Sequence, residues 1–195
     1  MDLTIKDNIS VSNFDSNYLK KYQDISKIHW TPIEIIKLSV EWLSHDGDTN
    51  VLDIGSGVGK FCHVGALISD MTFNGVEKRE HLYQESVRVM KQLNIKNISF
   101  INDNITCIDF TQYNSFYYFN PFCEQVASAD WIDKTTTFSS EKNDLYKEHV
   151  TQQLKKSAIG ARVVTYCSDN DFIPYGYKLT NISHTGLLQL WIKVK

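Results

Sequence analysis

The stretch "NVLDIGSGVGKFCHVGALI", from Asn50 to Ile68, narrows the folds open to this chain more than any other. An apolar run leads straight into Gly55, Gly57 and Gly59 at alternate positions, and Phe61, Val64 and Ile68 then recur on one helical face. A buried strand, a tight turn and a helix form the opening unit of an α/β sheet with a ligand at the strand's carboxyl end. A P-loop is excluded, because Phe61 stands where a magnesium-binding Ser or Thr must follow Gly59-Lys60, and Ile54 replaces the first glycine. A dinucleotide turn is weakened, since the third glycine counted from Gly55 is Lys60, too large for close packing of helix on strand. Lys60 is expected to be solvated in the first helical turn.

Strand-like and helix-like segments alternate on both sides of this unit. "NYLKKYQDISKI" reads as a short helix, and "WTPIEIIKLSVEWLSHDG" as a longer one, with Thr31 capping, Pro32 at the first helical position, Glu34 completing a capping box and Gly47 as stop. Downstream, "TFNGVE", "NISFIN", "SFYYFN" and "ARVVTYC" read as strands, with helices over "REHLYQESVRVMKQLN" and "LYKEHVTQQLKKS". "YGYKLTNIS" and "LLQLWIKV" are separated only by "HTG", too short for a crossover, so they predict an antiparallel hairpin at one edge. The expected fold is α/β: a Rossmann-like, doubly wound, mostly parallel seven-stranded sheet with a C-terminal antiparallel hairpin.

Composition limits the function classes. The 195 residues suit one domain, and 20 basic against 23 acidic side chains give no field that favours a nucleic-acid backbone or an anionic membrane. Cys62, Cys107, Cys123 and Cys167 form no close pair, which argues against a zinc site or a disulfide framework and for a reduced, cytoplasmic protein. The N-terminus lacks the pattern of a signal peptide, and no apolar run approaches the ~18 residues of a membrane span. The six histidines show no ligand spacing, so no metal is expected. His29 and His149 are candidate proton acceptors, and Tyr117 and Tyr118 are expected to pack against the sheet.

Asp53, one spacer, then Gly55, Gly57 and Gly59 resembles the first motif of the class I S-adenosylmethionine-dependent methyltransferases. The resemblance continues at successive strand ends through Glu77 in "GVEK", Asp103-Asn104-Ile105 in "INDNI", and Asn120-Pro121-Phe122 in "YYFNPF". It implies S-adenosylmethionine as cofactor, with the turn residues Gly55, Ser56, Gly57 and Gly59 passing close to it. Asp53 would lie near its ammonium, Glu77 at its ribose with Lys78 next to it among the cofactor-binding residues, Asp103, Asn104 and Ile105 at its adenine, and Asn120 beside its methyl. A carboxylate suits a donor that carries an ammonium and a sulfonium but no phosphate. Thr31, in a "TP" helix start, resembles the element that closes over the methionine end in some of these enzymes. Residues 31–195 would then be the methyltransferase domain and 1–30 a helical N-terminal extension to it.

The acceptor is less constrained. Asn120, Pro121 and Phe122 are the catalytic candidates, resembling the "(Asn/Asp)-Pro-Pro-(Tyr/Phe)" element that holds planar nitrogens, but with the second proline missing. "FYYFNPF", "GSGVGK" and the "TP" start together look more like the disruptor-of-telomeric-silencing-type lysine methyltransferases and their small bacterial relatives. The implied partner is an amine or other acceptor on a protein or a small molecule, with nucleic acid less favoured. The segment from Glu124 to Asp144, with Trp131 and Phe138, is read as a lid over the acceptor pocket. Two rivals stay open: a nicotinamide-dependent oxidoreductase, and a non-catalytic homologue that keeps the cofactor pocket. Oligomeric state is not readable.

Overall fold

The computed structural model of the chain describes residues 14–24, 30–122 and 140–195. A 3-10 turn (Asp15–Asn17) and helices α1 (Lys20–Gln23) and α2 (Ile33–Leu43) precede β1 (Asn50–Ile54), α3 (Lys60–Ile68), β2 (Thr72–Val76), α4 (Glu80–Gln92) and β3 (Ile98–Ile101). Two short 3-10 turns lead to β4 (Ser115–Tyr118), followed by α5 (Ser140–Lys156), β5 (Arg162–Tyr166), β6 (Tyr177–Ser183) and β7 (Leu188–Lys193). The strands form one sheet in the order β3-β2-β1-β4-β5-β7-β6. β1 to β5 pair in parallel, and β7 runs antiparallel between β5 and β6, which is the expected hairpin. Strand order reverses between β1 and β4, so their carboxyl ends open a crevice of the kind that holds ligands in such sheets.

The central strands β1, β4 and β5 are buried on both faces, whereas the edge strand β6 is largely exposed. Consecutive residues point to opposite sides: Val51 joins the core under α2, α3 and α4, with Ile36, Phe61, Val64 and Val89. Leu52 joins the core under α5, with Phe116, Val150, Leu154 and Val163. The end of α5 is tied to the hairpin by Lys193, a buried lysine whose ammonium donates to the carbonyls of Leu154, Lys155 and Ser157 at 3.3, 2.6 and 2.6 Å. A cation on the last carbonyls of a helix meets both their unsatisfied acceptors and the negative end of the helix dipole.

Several local expectations are corrected. Thr31 does not cap α2: Pro32 holds that position, no side chain caps it, and the Thr31 hydroxyl instead bonds the buried Tyr117 hydroxyl at 2.9 Å. α2 ends at Leu43, before Gly47. α5 begins at Ser140 rather than Leu145, so the last residues of the segment read as a lid are its first turn. The rest of that segment, with Trp131 and Phe138, lies outside the described residues, as do His29, Cys123 and most of the 1–30 extension. Helix α1 is shorter than the expected helix, and residues 25–29 are not described.

Lys60 is the largest correction. It is 5% exposed, its ammonium is 2.8 Å from Asp15 Oδ1 and it lies 5.4 Å over the Trp30 ring. Helix α3 is buried from Lys60 to Ala66, because the N-terminal segment covers the side that its one-sided apolar pattern left to solvent. The same segment is held by the Leu19 N–H donating to Glu85 at 2.7 Å, and by the Tyr18 hydroxyl on His63 Nδ1 at 2.9 Å. His63 Nε2 faces the Ser86 carbonyl at 3.0 Å, so it carries the proton and Nδ1 accepts from Tyr18. Burial pulls His63 down to about 4, and the ring stays neutral. Lys60→Ala is expected to cost about 2 kcal/mol in urea unfolding, against about ±0.5 for an ordinary surface substitution. A loss inside the surface range would mean that the pair and its packing contribute nothing.

Candidate active site

The carboxyl ends of β1, β2, β3 and β4 converge on an open cleft, where ligands bind in sheets of this kind. Its wall brings together Gly55, Glu77, Lys78, Asp103, Asn104, Ile105, Pro121 and Phe122 of the expected residues. Val76, Arg79 and Tyr146 complete it. Thr31, Asp53, Ser56, Gly57, Gly59 and Asn120 stand behind or beside this wall rather than in it.

Glu77 sits one residue past β2 and is 5% exposed. Gly57 N–H donates to its Oε2 at 3.1 Å, which ties the glycine turn to the second strand. Its Oε1 accepts from the Arg79 backbone N–H at 2.9 Å and from Arg79 Nε at 3.0 Å, while Arg79 Nη2 approaches Oε2 at 3.4 Å. The buried carboxylate is therefore paired as well as hydrogen-bonded, as a buried charge must be. Below it, Asn102 donates its side-chain amide to the Glu77 carbonyl at 2.9 Å.

At the end of β3, Asn104 organises the wall. Its Oδ1 accepts from the Thr106 N–H at 3.1 Å, capping the 3-10 turn Ile105–Cys107, and its Nδ2 donates to the Tyr146 hydroxyl at 3.1 Å. Asp103 is exposed and accepts from the Asn104 N–H at 2.6 Å. Ile105 is buried in the core below. Tyr146 reaches the cleft from α5: Phe122 packs 5.1 Å from its ring and Lys78 places its ammonium 5.5 Å above it. The cleft thus has an aromatic and apolar end with amide and carboxylate groups at its rim.

Asp53 turns to the α2 and α3 side of the sheet, beside Tyr117 in register. It is 4% exposed and accepts a hydrogen bond from the Cys62 thiol at 3.4 Å. Burial, opposed by the Cys62 bond and aided by the charge of Glu77, pushes its carboxyl up to about 7. A desolvated carboxyl that ionises near neutrality, next but one to Gly55, offers a cation a partner that water does not already satisfy. Thr31, through Tyr117, stands on the same face. Ser56 donates its N–H to the Val76 carbonyl at 2.9 Å, and its buried hydroxyl has no partner.

At the end of β4, Asn120 adopts φ 37°, a left-handed conformation that asparagine tolerates better than most residues. The bend turns Pro121 onto the glycine loop and Phe122 inward against Tyr118 and Tyr146. Cys167, at the end of neighbouring β5, is also left-handed at φ 47°, and the rings of Phe119 and Tyr166 pack nearby at a tilt, with centroids 4.9 Å apart. His149 lies on α5, its ring 6.3 Å from Phe110 and its Nε2 buried without a hydrogen-bond partner. Tyr117 and Tyr118 are buried in the two cores, as expected. Arg79 and Tyr146 were missed in the sequence; proximity to Glu77 could have flagged the first, but only tertiary structure brings in the second. Among the described residues, no group of three or more His, Cys, Asp or Glu could hold a metal ion, and no helix is long and apolar enough to cross a membrane.

The sequence matches, over residues 11–109, the family model described as Protein-L-isoaspartate(D-aspartate) O-methyltransferase. The match takes in just over half the chain and stops before β4. A search of curated proteins found no sequence match. Among solved structures, a putative methyltransferase, yhhF from Escherichia coli, superposes with a TM-score of 0.60 at 13% identity, covering 86% of this chain and 89% of that one. An RNA methyltransferase from Salinibacter ruber, in complex with S-adenosyl-L-homocysteine, gives 0.57 at 14% identity, covering 84% and 92%. The [4+2]-cyclase SpnF gives 0.53 at 12% identity over 68% of this chain, which spans only 43% of SpnF. These identities speak for a shared fold.

Proposed function

The chain belongs to the protein-L-isoaspartate(D-aspartate) O-methyltransferase family, and on that premise we propose that it binds S-adenosylmethionine in the cleft and transfers its methyl to an amine nitrogen. The observation that carries the donor reading is Glu77, a buried carboxylate fixed beneath the glycine turn at the mouth of the same cleft as Asp103, Asn104 and Ile105. Two hydroxyls of a ribose suit Glu77, and a flat base suits the space between Ile105, Phe122 and Tyr146. Asp53 would take the ammonium, with Gly55, Ser56, Gly57 and Gly59 passing alongside, Lys78 over the Tyr146 ring, and Thr31 closing the far end.

The donor supplies a methyl group already activated on a sulfonium, so its leaving group needs no acid. What remains for the protein is to hold the acceptor in line and to exclude water, and proximity with fixed dipoles supplies most of such acceleration. Asn120 is held at the β4 end by its left-handed backbone, where its side chain can accept from an incoming nitrogen. Pro121 and Phe122 then serve as its support and as the wall of the base pocket. The resemblance of "FYYFNPF" to lysine-acting enzymes favours a protein lysine or a small amine. A second reading, a carboxylate acceptor as the family description names, rests on the match to residues 11–109, which ends ahead of the acceptor-side strands.

One experiment separates these. The protein is incubated with methyl-labelled donor and cell extract, the labelled fraction is identified, and the product is treated with mild alkali. Label that survives alkali in protein or small amines supports N-methylation; label released as methanol supports the ester. Calorimetry with S-adenosylmethionine, S-adenosylhomocysteine and NAD tests the premise, and binding of NAD alone would defeat it. Tight donor binding with no transfer to any fraction would instead identify a cofactor-binding homologue without turnover.

A further inference from the structure

On the donor reading above, Glu77 receives the ribose hydroxyls, yet its carboxylate is already saturated. A carboxylate offers about four lone-pair directions. Gly57 N–H and Arg79 N–H each fill one, at 3.1 and 2.9 Å, and the Arg79 guanidinium takes the others through Nε at 3.0 Å and Nη2 at 3.4 Å. The two backbone bonds belong to the turn. The two guanidinium bonds belong to a side chain that rotation can withdraw, and Arg79 lines the cleft together with Glu77.

Nε and Nη2 of a guanidinium are two adjacent donors held rigidly toward the two oxygens of one carboxylate. A vicinal diol presents the same pattern. Both cannot occupy the open edge of Glu77 together, and the backbone donors fill its remaining directions. The geometry points to Arg79 as an intramolecular competitor of the donor's ribose, a residue that sets donor affinity by occupying the diol's place until the ligand displaces it. Binding is then an exchange, with the guanidinium leaving and the diol arriving. The diol's bonds to the carboxylate only replace the hydrogen-bonded ion pair that Arg79 already makes there, so in the wild type the diol adds little net affinity. Arg79 also gives the carboxylate its counter-charge in the free protein, which explains how a 5%-exposed Glu77 is tolerated while the cleft is open.

The test measures, on the full chain, the Kd of S-adenosylhomocysteine and of its 2′,3′-dideoxy analogue, for the wild type and for Arg79→Met, which keeps the aliphatic stem. The wild type should bind the two nucleosides within about threefold, whereas Arg79→Met should bind S-adenosylhomocysteine at least about tenfold tighter than the wild type and prefer it to the analogue by about tenfold or more. Free Arg79→Met should melt lower than free wild type and show the larger rise on adding ligand. Unchanged or weaker binding by the variant overturns the inference. So does a wild-type preference for the diol of about tenfold or more, which needs no variant to fold. Failure of the wild type to bind either nucleoside defeats the donor reading and this inference with it, whereas binding that is indifferent to Arg79 defeats the inference alone.

Discussion

Asp53→Asn should make the protein more stable at pH 8 and a poorer binder of the methyl donor. In the folded chain the Asp53 carboxyl is pushed from 3.8 up to about 7, chiefly by burial. The folded state therefore holds a proton that the unfolded state releases, and the stability tied to this group is fully present below pH ~4 and is lost as pH rises to ~7. A shift of about three units corresponds to a loss on the order of 4 kcal/mol. Asparagine has the same shape and does not titrate, so it should recover much of that loss, less the cost of burying an amide donor. For a chain of this size, a gain of roughly 2–3 kcal/mol at pH 8 raises the melting temperature by roughly 4–12 °C, and the difference should vanish near pH 4. Equal melting temperatures at pH 8 would mean that Asp53 is ionised at no cost in the folded state.

The same buried carboxyl gives the binding prediction its sign. An ammonium ligand needs the carboxylate, so wild-type donor affinity should rise with pH and level off above ~7, falling by up to about tenfold per unit below it. Binding at pH 7 should release about half a proton per site, visible as a dependence of the calorimetric enthalpy on the buffer's ionisation enthalpy. Asp53→Asn should weaken donor binding by about 30-fold or more and abolish that dependence. A variant that gains stability but binds unchanged would leave Asp53 as a buried member of the turn and nothing else. The pairing of a stability gain with a binding loss is the signature of a group kept strained for a ligand.

The residues read correctly from sequence are those whose surroundings are local or periodic. β1 and β5 carry the buried apolar pairs Val51-Leu52 and Val163-Val164, one residue of each pair for each face of the sheet, and "HTG" is too short to be anything but a reversal. Thr31 failed because a hydroxyl able to cap a helix is equally able to bond a neighbouring hydroxyl, and Tyr117, 86 residues away, competes successfully. Lys60 failed for a similar reason: its partner Asp15 and its cover Trp30 come from a segment with no strong periodicity of its own. The start of α5 was missed because Ser140–Asp144 is polar throughout. In the site, each acid at a strand end could be found from its position after a strand, whereas Arg79 on Glu77 and Tyr146 on Asn104 depend on side-chain direction.

Gly55→Ala should disable the site without dismantling the fold. A Cβ at Gly55 would sit 2.4 Å from Pro121 Cβ, and Gly55 has φ +75°, so the new methyl group meets a rigid ring from a strained backbone. Neither side can give easily, since Pro121 follows the left-handed Asn120 and precedes Phe122, which is locked against Tyr118 and Tyr146. Relief requires the β4 end to lift off the glycine turn, which carries Phe122 out of the cleft wall and moves Asn120. We expect a stability loss of about 2–4 kcal/mol by urea unfolding and a fall in donor affinity of about 100-fold or more. Gly57→Ala is the control, because its Cβ meets nothing within 4 Å, and it should pay only the backbone cost of about 1–2 kcal/mol. Equal losses at the two positions would show that the turn needs glycine for its backbone alone. A much larger loss at Gly55 would show that Asp53-x-Gly55 is spelled by what rests on it, the Asn120-Pro121-Phe122 corner, which binds the donor turn and the acceptor-side strand into one unit.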